Sequence, residues 1–201
     1  MSIRGSVAWD IHGFIIGVYN GDDSNPAGLG RRVWHYAKNL GISGLKSRLQ
    51  GYGDWVEFEH GGVCEYCGKV TGQPLSVQVT NLLVQRDTET GLFPSVPDAE
   101  ARYHEHGNSA RDHFEPFKDA QMVHWIYILD EQFNAVEVWF RAPEYGVYKY
   151  RNLGFQVSGI VDDGFTHVLF RKLSLDNDYP DWTLFEKEFE TMIRMVNHEE
   201  Y

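Results

Sequence analysis

Two pairs of β-prone segments, each joined by only a few residues, constrain this chain more than any other feature of its sequence. In the first pair, Ser6 to Trp9 and Phe14 to Tyr19 flank a short turn. In the second pair, Met122 to Leu129 and Ala135 to Phe140 flank residues 130–134, and the last strand alternates polar and apolar residues. Connections this short join antiparallel neighbours. The sequence therefore predicts a sheet of hairpins, with one face of the second hairpin exposed to water.

Apolar residues at helical spacing predict one helix after the first hairpin and another at the end of the chain. Between Gly28 and Leu40 they recur every three to four residues, and Gly41 follows as a C-terminal cap. Over the range Asp181 to Val196 they form one stripe, and acidic residues crowd the first half, where the helix dipole favours them. A short helix is also predicted over residues 44–49.

Three further β-prone runs, residues 146–150, 155–161 and 167–173, precede the last helix. The elements together predict an α+β fold: an antiparallel sheet of several hairpins with an N-terminal helix and a C-terminal amphipathic helix. No internal repeat or long linker divides the chain, so we expect residues 1–201 to form a single domain. Most of the tryptophans fall on predicted strands and helix faces, so we interpret them as core residues. His124 lies next to Trp125 on a predicted strand, and we interpret it as a satisfied core or sheet histidine.

The charge of the chain bears on its partners and its compartment. Lys and Arg number 18 against 29 Asp and Glu, a formal net charge of −11, which repels phosphate and disfavours nucleic acid. No apolar run reaches the roughly 20 residues that cross a bilayer, and the first residues do not resemble a secretion signal. We therefore expect a cytoplasmic protein that is not bound to a membrane. In that reducing compartment, two cysteines are expected to bind metal or to do redox chemistry.

The two cysteines form a Cys-x-x-Cys motif, Cys64 and Cys67, which Gly68 follows. Two thiolates at this spacing bind one ion only if the chain turns tightly, and a glycine permits that turn. The motif lies in a region that shows little periodicity apart from the run Leu75 to Val84. We therefore predict a zinc-knuckle insertion, with residues 60–118 as an irregular sub-region that the metal stabilises.

A closed tetrahedral zinc site needs two more ligands, and histidines supply the candidates. His60 precedes the cysteines, and His104, His106 and His113 follow them. The spacing of His104 and His106 places both rings on the same side of an extended segment. We therefore expect His106 to complete the site together with His104, which we prefer to His60.

Three other interpretations of the cysteine motif stay open. A site with three protein ligands would leave a position for an activated water, with Glu65 or Glu105 as the base. A redox Cys-x-x-Cys motif would open a helix, which the residues after Gly68 do not favour. The third is that these cysteines and histidines are ordinary core and surface residues.

The loop ahead of the first helix, residues 20–30, is rich in turn formers. A glycine-rich loop in this place can bind phosphate, but Asp22 and Asp23 would repel it. We interpret the loop as a helix cap in which Pro26 stands just before the helix. The alternative is a cation or polar ligand held by Asn20, Asp22, Asp23 and Asn25.

Several short motifs occur together in this chain: an Arg-Gly start at Arg4, a Tyr-Asn…Asp-Ser…Pro…Gly-Leu-Gly loop, and the Cys-Glu-Tyr-Cys-Gly-Lys knuckle. A Tyr-His-x-His sequence that ends at His106, and a strand pair around Trp125 and Trp139, accompany them. In these pieces, which span residues 3–140, the chain resembles a loosely defined group of uncharacterised bacteriophage and actinobacterial proteins. The resemblance implies a phage or bacterial origin and favours zinc.

These observations predict a non-catalytic binding protein with a structural zinc ion, whose partner is a protein or a small-molecule ligand. The acidic charge and the closed metal site favour this hypothesis, and a phage-encoded modulator of a host system would be one protein of this kind. The alternative is a hydrolase. It would use a zinc-activated water or, after removal of Met1, the hydroxyl group of Ser2 as an N-terminal nucleophile.

Overall fold

The computed structural model describes residues 3–21, 23–50, 52, 55–59, 116–118, 123–161 and 163–198. By its contacts the chain divides into two compact units, Met1–Lys46 with Glu115–Tyr201, and Ser47–Phe114. In the described part of the second unit, the rings of Trp55 and Phe58 pack with their centroids 5.0 Å apart. The first unit carries all the described strands.

In the described residues, five strands form one sheet in the order β2-β1-β3-β4-β5. The strands are β1 (Gly5–Ile11), β2 (Phe14–Asn20), β3 (Trp125–Asp130), β4 (Ala135–Pro143) and β5 (Phe165–Ser174). The helical segments are a π-helical turn (Pro26–Gly30), α1 (Arg31–Leu40), α2 (Ile42–Leu49), α3 (Trp55–Glu59), a 3-10 turn (Glu144–Gly146), α4 (Val147–Asn152) and α5 (Trp182–His198). The predicted α+β class is therefore confirmed.

The prediction of a sheet that is antiparallel throughout is wrong at the centre of the sheet. Both predicted hairpins form, with antiparallel pairing of β1 with β2 and of β3 with β4. However, β1 and β3 lie side by side in parallel, with Val7 opposite Tyr127, so the sheet is mixed. β2 returns the chain to the end of the sheet where β1 begins, because Asn20 and Trp125 both lie opposite Gly5, and residues 21–124 connect these two points. The sequence patterns predict pairing only between strands that follow each other.

The predicted strand over residues 146–150 is also wrong, because most of this segment belongs to α4. Val147 and Tyr150 are buried, whereas Tyr148 is 59% exposed, which is the spacing of a helix face. The aromatic and β-branched residues favour a strand locally, but Tyr150 packs against the sheet through Phe140, at 5.5 Å between ring centroids. The predicted strand over residues 155–161 does not form either, because in the described structure this segment contributes one isolated bridge, between Val157 and Val168.

One face of the sheet, which we call the helix face, packs against α5 and the π-helical turn. Phe189 of α5 lies 4.8 Å from Trp125 and 5.0 Å from Phe140 between ring centroids. The π-helical turn approaches the same face so closely that a Cβ on Gly30 would lie 2.7 Å from the ring of Tyr127. The last helix begins where predicted, because the Asp181 carboxylate caps its first turn at 3.0 Å.

Alternate residues of the same strands point to the opposite face, which we call the cleft face. It carries Ile126 and Ile128 from β3, and Glu137 and Trp139 from β4. The alternation in β4 predicted exposure to water here, yet Trp139 is only 4% exposed. Phe117 packs on it, with ring centroids 5.2 Å apart. The cleft face is therefore partly covered, and it carries charged side chains in a sheltered setting.

Candidate functional site

The predicted zinc ligands lie outside the described residues, and so do the groups on which the hydrolase alternative depends. The ligand candidates are Cys64, Cys67, His104, His106, His60 and His113, and the hydrolase groups are Ser2, Glu65 and Glu105. Among the side chains that the structure does describe, no group of three or more His, Cys, Asp or Glu is arranged to hold a metal ion. The zinc knuckle therefore stays a prediction.

The loop ahead of α1 acts as a helix cap, as predicted. The Asn25 side-chain oxygen accepts a hydrogen bond from Gly28 N at 2.6 Å, and Pro26 begins the π-helical turn. The close packing leaves no room for a larger residue, because a Cβ on Gly28 would lie 2.4 Å from the carbonyl oxygen of Asp23. Asp22, which the alternative of a bound cation also needs, lies outside the described residues.

A cleft of about 580 Å³ runs along the cleft face of the sheet. Its apolar lining includes Ile15, Phe117, Ile128, Trp139 and Ile160, and its charged lining consists of Asp10, Lys46, Asp130, Glu131 and Glu137. Pockets for small ligands hold roughly 300–1,000 Å³ and combine apolar walls with a few polar groups. The size and the lining of this cleft make it the candidate binding site.

Glu137 is firmly anchored in the cleft, and its side chain is 12% exposed. Its Oε2 accepts a hydrogen bond from Trp139 Nε1 at 2.8 Å, and its Oε1 pairs with Lys172 Nζ. The same ammonium group lies 3.3 Å from Asp130 Oδ2 and 4.7 Å from the ring centroid of Phe133. The hydrogen bond to Glu137 is the main reason that the pKa of Lys172 is raised. Lys172 therefore stays charged and holds both carboxylates in place.

A second ion pair stabilises the part of the cleft next to the β3–β4 turn. Glu131 accepts hydrogen bonds from Ser43 Oγ at 2.7 Å and from Lys46 Nζ at 3.1 Å. These bonds lower the pKa of Glu131, the bond from Ser43 most of all. Lys46 Nζ also donates to the carbonyl oxygen of Asp10 at 3.5 Å. The start of α2 is thereby fixed to both turns that border the cleft.

The charges of the cleft do not balance among the described residues. The carboxylates are those of Asp10, Asp130, Glu131 and Glu137, and the ammonium groups are those of Lys46 and Lys172. The net charge of these six groups is therefore −2. Apolar walls reduce the effective dielectric constant, so that charges in such a cleft act more strongly than charges on an open surface. The cleft suits a ligand that carries positive charge.

His167 is fully buried on the same face, where the ring of Phe117 packs against it at 5.5 Å between centroids. Its Nε2 lies 2.9 Å from the carbonyl oxygen of Val123. Because a carbonyl can only accept, Nε2 donates and Nδ1 carries a lone pair, and that buried atom has no hydrogen-bond partner. Burial is the main cause that lowers the pKa of His167 to about 4, and the charges of Arg141 and His124 lower it further.

His124 also has a buried Nδ1 atom without a hydrogen-bond partner, so its interpretation as a fully satisfied sheet histidine is wrong. Burial lowers its pKa, and the guanidinium groups of Arg141 and Arg4 act in the same direction. These positive charges disfavour a metal cation between the two histidines. The pair is therefore a neutral, acid-sensitive part of the fold.

The sequence patterns missed the cleft because its charged residues are far apart along the chain. Asp10 and Asp130 each stand at the end of the first strand of a hairpin, and they become neighbours only because Trp9 pairs with Leu129 in parallel. The matching position of an aspartate in the two hairpins is the one sequence signal of this site. This match predicts a shared site only if the two hairpins are known to pair through β1 and β3.

No family model, curated protein or solved structure matches the chain. Among the described helices, none combines the length and the apolar character that a crossing of the membrane requires. The cleft and the sequence motifs are therefore the features of this chain that bear on its function.

Proposed function

We propose that this chain is a non-catalytic binding protein whose cleft holds the positively charged group of a ligand. The observation that carries the proposal is the charge imbalance of the cleft, in which four carboxylates share the two ammonium groups of Lys46 and Lys172 among the described residues. The cation can be an amine of a small molecule or a lysine or arginine side chain of a partner protein. Both present the same chemistry to the cleft.

The arrangement around Glu137 supports this function. Lys172 and the indole N–H of Trp139 fix both carboxylate oxygens, so the charge is oriented before a ligand arrives. Phe117 and Trp139 supply an apolar wall beside that charge, where an alkyl chain that carries an amine can pack. A ligand with an apolar stem and a cationic end uses both parts of the cleft.

The zinc knuckle belongs to the proposal as a structural element. Cys64 and Cys67 have the spacing of a zinc site, and His104 and His106 would complete a closed tetrahedral set of ligands, which stabilises a fold without doing chemistry. The net charge of −11 favours a basic partner over nucleic acid. We place the protein in the cytoplasm of a bacterium or of a phage-infected host, as a modulator of a host system.

Spermidine is a suitable probe, because it is a small flexible cation. The Trp139 indole N–H signal in a nitrogen-15 correlation spectrum reports on the cleft directly, since this group donates to Glu137. We expect saturable shifts of that signal and binding that is at least about threefold weaker in Glu137→Gln. Glu144→Gln removes an exposed carboxylate that does not line the cleft and should bind as the native protein does. The absence of any shift, or equal losses in the two variants, would refute the proposal.

A further inference from the structure

We propose that the ligand of the cleft is an amphiphilic small molecule, with one ammonium group at the end of an unbranched apolar chain. This inference rests on the proposed function and specifies the class of the ligand and its orientation. The charged and the uncharged residues that line the cleft occupy different positions along the strands, and a ligand of this kind matches both.

The charged residues among the described lining of the cleft all lie at one end, next to the β1–β2 and β3–β4 turns, which we call the turn end. Asp10 is the last residue but one of β1, and Asp130 is the last residue of β3. Lys46 bridges the two turns, since its ammonium group donates to the Asp10 carbonyl oxygen and to Glu131. Glu137, the third residue of β4, is the charged lining residue that lies farthest along the strands.

The described residues that line the opposite end of the cleft, which we call the apolar end, carry no charge. Trp139 lies two residues beyond Glu137, which is about 7 Å along β4. Val157 lies farther along, because it forms a bridge with Val168, which pairs with Phe140. Its position along the strands is therefore about 10 Å from that of Glu137. The other lining residues at this end contact Trp139 or β5, and they are Phe117, Gln156, Ser158 and Ile160.

This distribution of charge favours a ligand with a single ammonium group. At the turn end the ammonium group pairs with carboxylates. A second ammonium group at the apolar end would lose its water without gaining a carboxylate among the described lining residues. An apolar chain at that end packs on Phe117 and Trp139, whose ring centroids lie 5.2 Å apart. The cleft therefore favours a monocation with an apolar chain over a polyamine.

The length of the apolar end favours a small molecule over a lysine side chain of a partner protein. A lysine side chain has a stem of only four carbons. With its ammonium group at Glu137, the backbone of the partner would lie beside Phe117 and Trp139, where its amide groups lose water next to apolar rings. An octyl chain extends past both rings to Val157 and keeps apolar atoms against apolar walls.

The experiment compares octylammonium with the diammonium ion of the same chain, which carries a charge at both ends. We expect octylammonium to bind the native protein at least about tenfold more tightly, measured by calorimetry. Ile160→Glu adds a carboxylate to the apolar end and should reduce this ratio about threefold. Val161→Glu is the matched control, because Val161 is the next residue, is 46% exposed against 38% for Ile160, and is not among the described lining residues. It should leave the ratio unchanged.

The possible outcomes separate this inference from the proposed function. If the diammonium ion binds as tightly as octylammonium or more tightly, and Glu137→Gln weakens both, the amphiphilic ligand is refuted and a site for simple cations remains. An unchanged ratio in Ile160→Glu would overturn the orientation of the chain. Acetyl-lysine methylamide represents the lysine of a partner protein, and tighter binding of this probe than of octylammonium would also refute the inference. If none of these cations binds, the proposed function itself fails.

Discussion

Acid should destabilise this protein through His167 in the range between about pH 6.5 and about pH 4. An ordinary histidine binds its proton near pH 6.5, whereas burial lowers the pKa of His167 in the folded protein to about 4. Between these values the unfolded chain binds more protons than the folded chain, so the free energy of unfolding falls as the pH falls. The contribution of neutral His167 to the free energy of unfolding is fully present above about pH 6.5. From pH 7 to about pH 4.5, His167 alone should remove about 2 kcal/mol.

The assay is urea unfolding at both pH values, followed by tryptophan fluorescence, of the native protein and of His167→Gln. The glutamine amide can still donate to the Val123 carbonyl oxygen that His167 contacts, but it does not titrate. Since the other groups titrate in both proteins, the loss of stability on acidification should be smaller by about 2 kcal/mol in the variant. His35→Gln, on the exposed side of α1, controls for the removal of a histidine. Equal losses in the native protein and in His167→Gln would refute the reasoning.

Elemental analysis of the purified protein should find one zinc ion per chain, and Cys64→Ser and His106→Ala should each lose the metal together with thermal stability. If the native protein contains no metal, the predicted zinc knuckle is refuted. Gly28→Ala should destabilise by about 3 kcal/mol or more, because the new methyl group would lie 2.4 Å from the Asp23 carbonyl oxygen. Gly44→Ala, in α2 with no neighbouring atom closer than 3.6 Å, should stabilise by up to about 1 kcal/mol. Urea unfolding measures both variants, and similar effects at the two glycines would contradict the packing argument.

The elements that the sequence predicts correctly are those whose signals are local. The turn after Asp130 is specified within a few residues, since its carboxylate accepts hydrogen bonds from the backbone of the turn. The start of α5 is specified by Asp181 and the cap of the π-helical turn by Asn25, each through bonds that reach only two or three residues along the chain. Such contacts leave a pattern in the sequence because both partners lie within the same short window.

The cleft could not be predicted in this way, because it depends on which strands become neighbours. A hairpin pattern predicts that β1 pairs with β2, but it does not predict which strand pairs with the other edge of β1. Once β3 occupies that edge in parallel, Asp10 and Asp130 meet, and Glu137 faces the same cleft. The environment of His167 could not be predicted either, because its hydrogen-bond partner, the carbonyl oxygen of Val123, is separated from it by 44 residues in the chain. Long-range contacts of this kind have no signature in the local pattern.

The parallel pairing of β1 with β3 also sets the order in which the molecule can fold. Each hairpin closes a short loop and can form early, whereas joining the two hairpins requires closure of the loop over residues 21–124. The chain entropy of a loop of this length opposes the step by about 4 kcal/mol from the logarithmic term alone. We therefore expect the central pairing to be the slow step of folding, and the cleft to appear only when that step is complete. A zinc ion that ties the knuckle together within that loop would shorten its effective length and speed the assembly of the site.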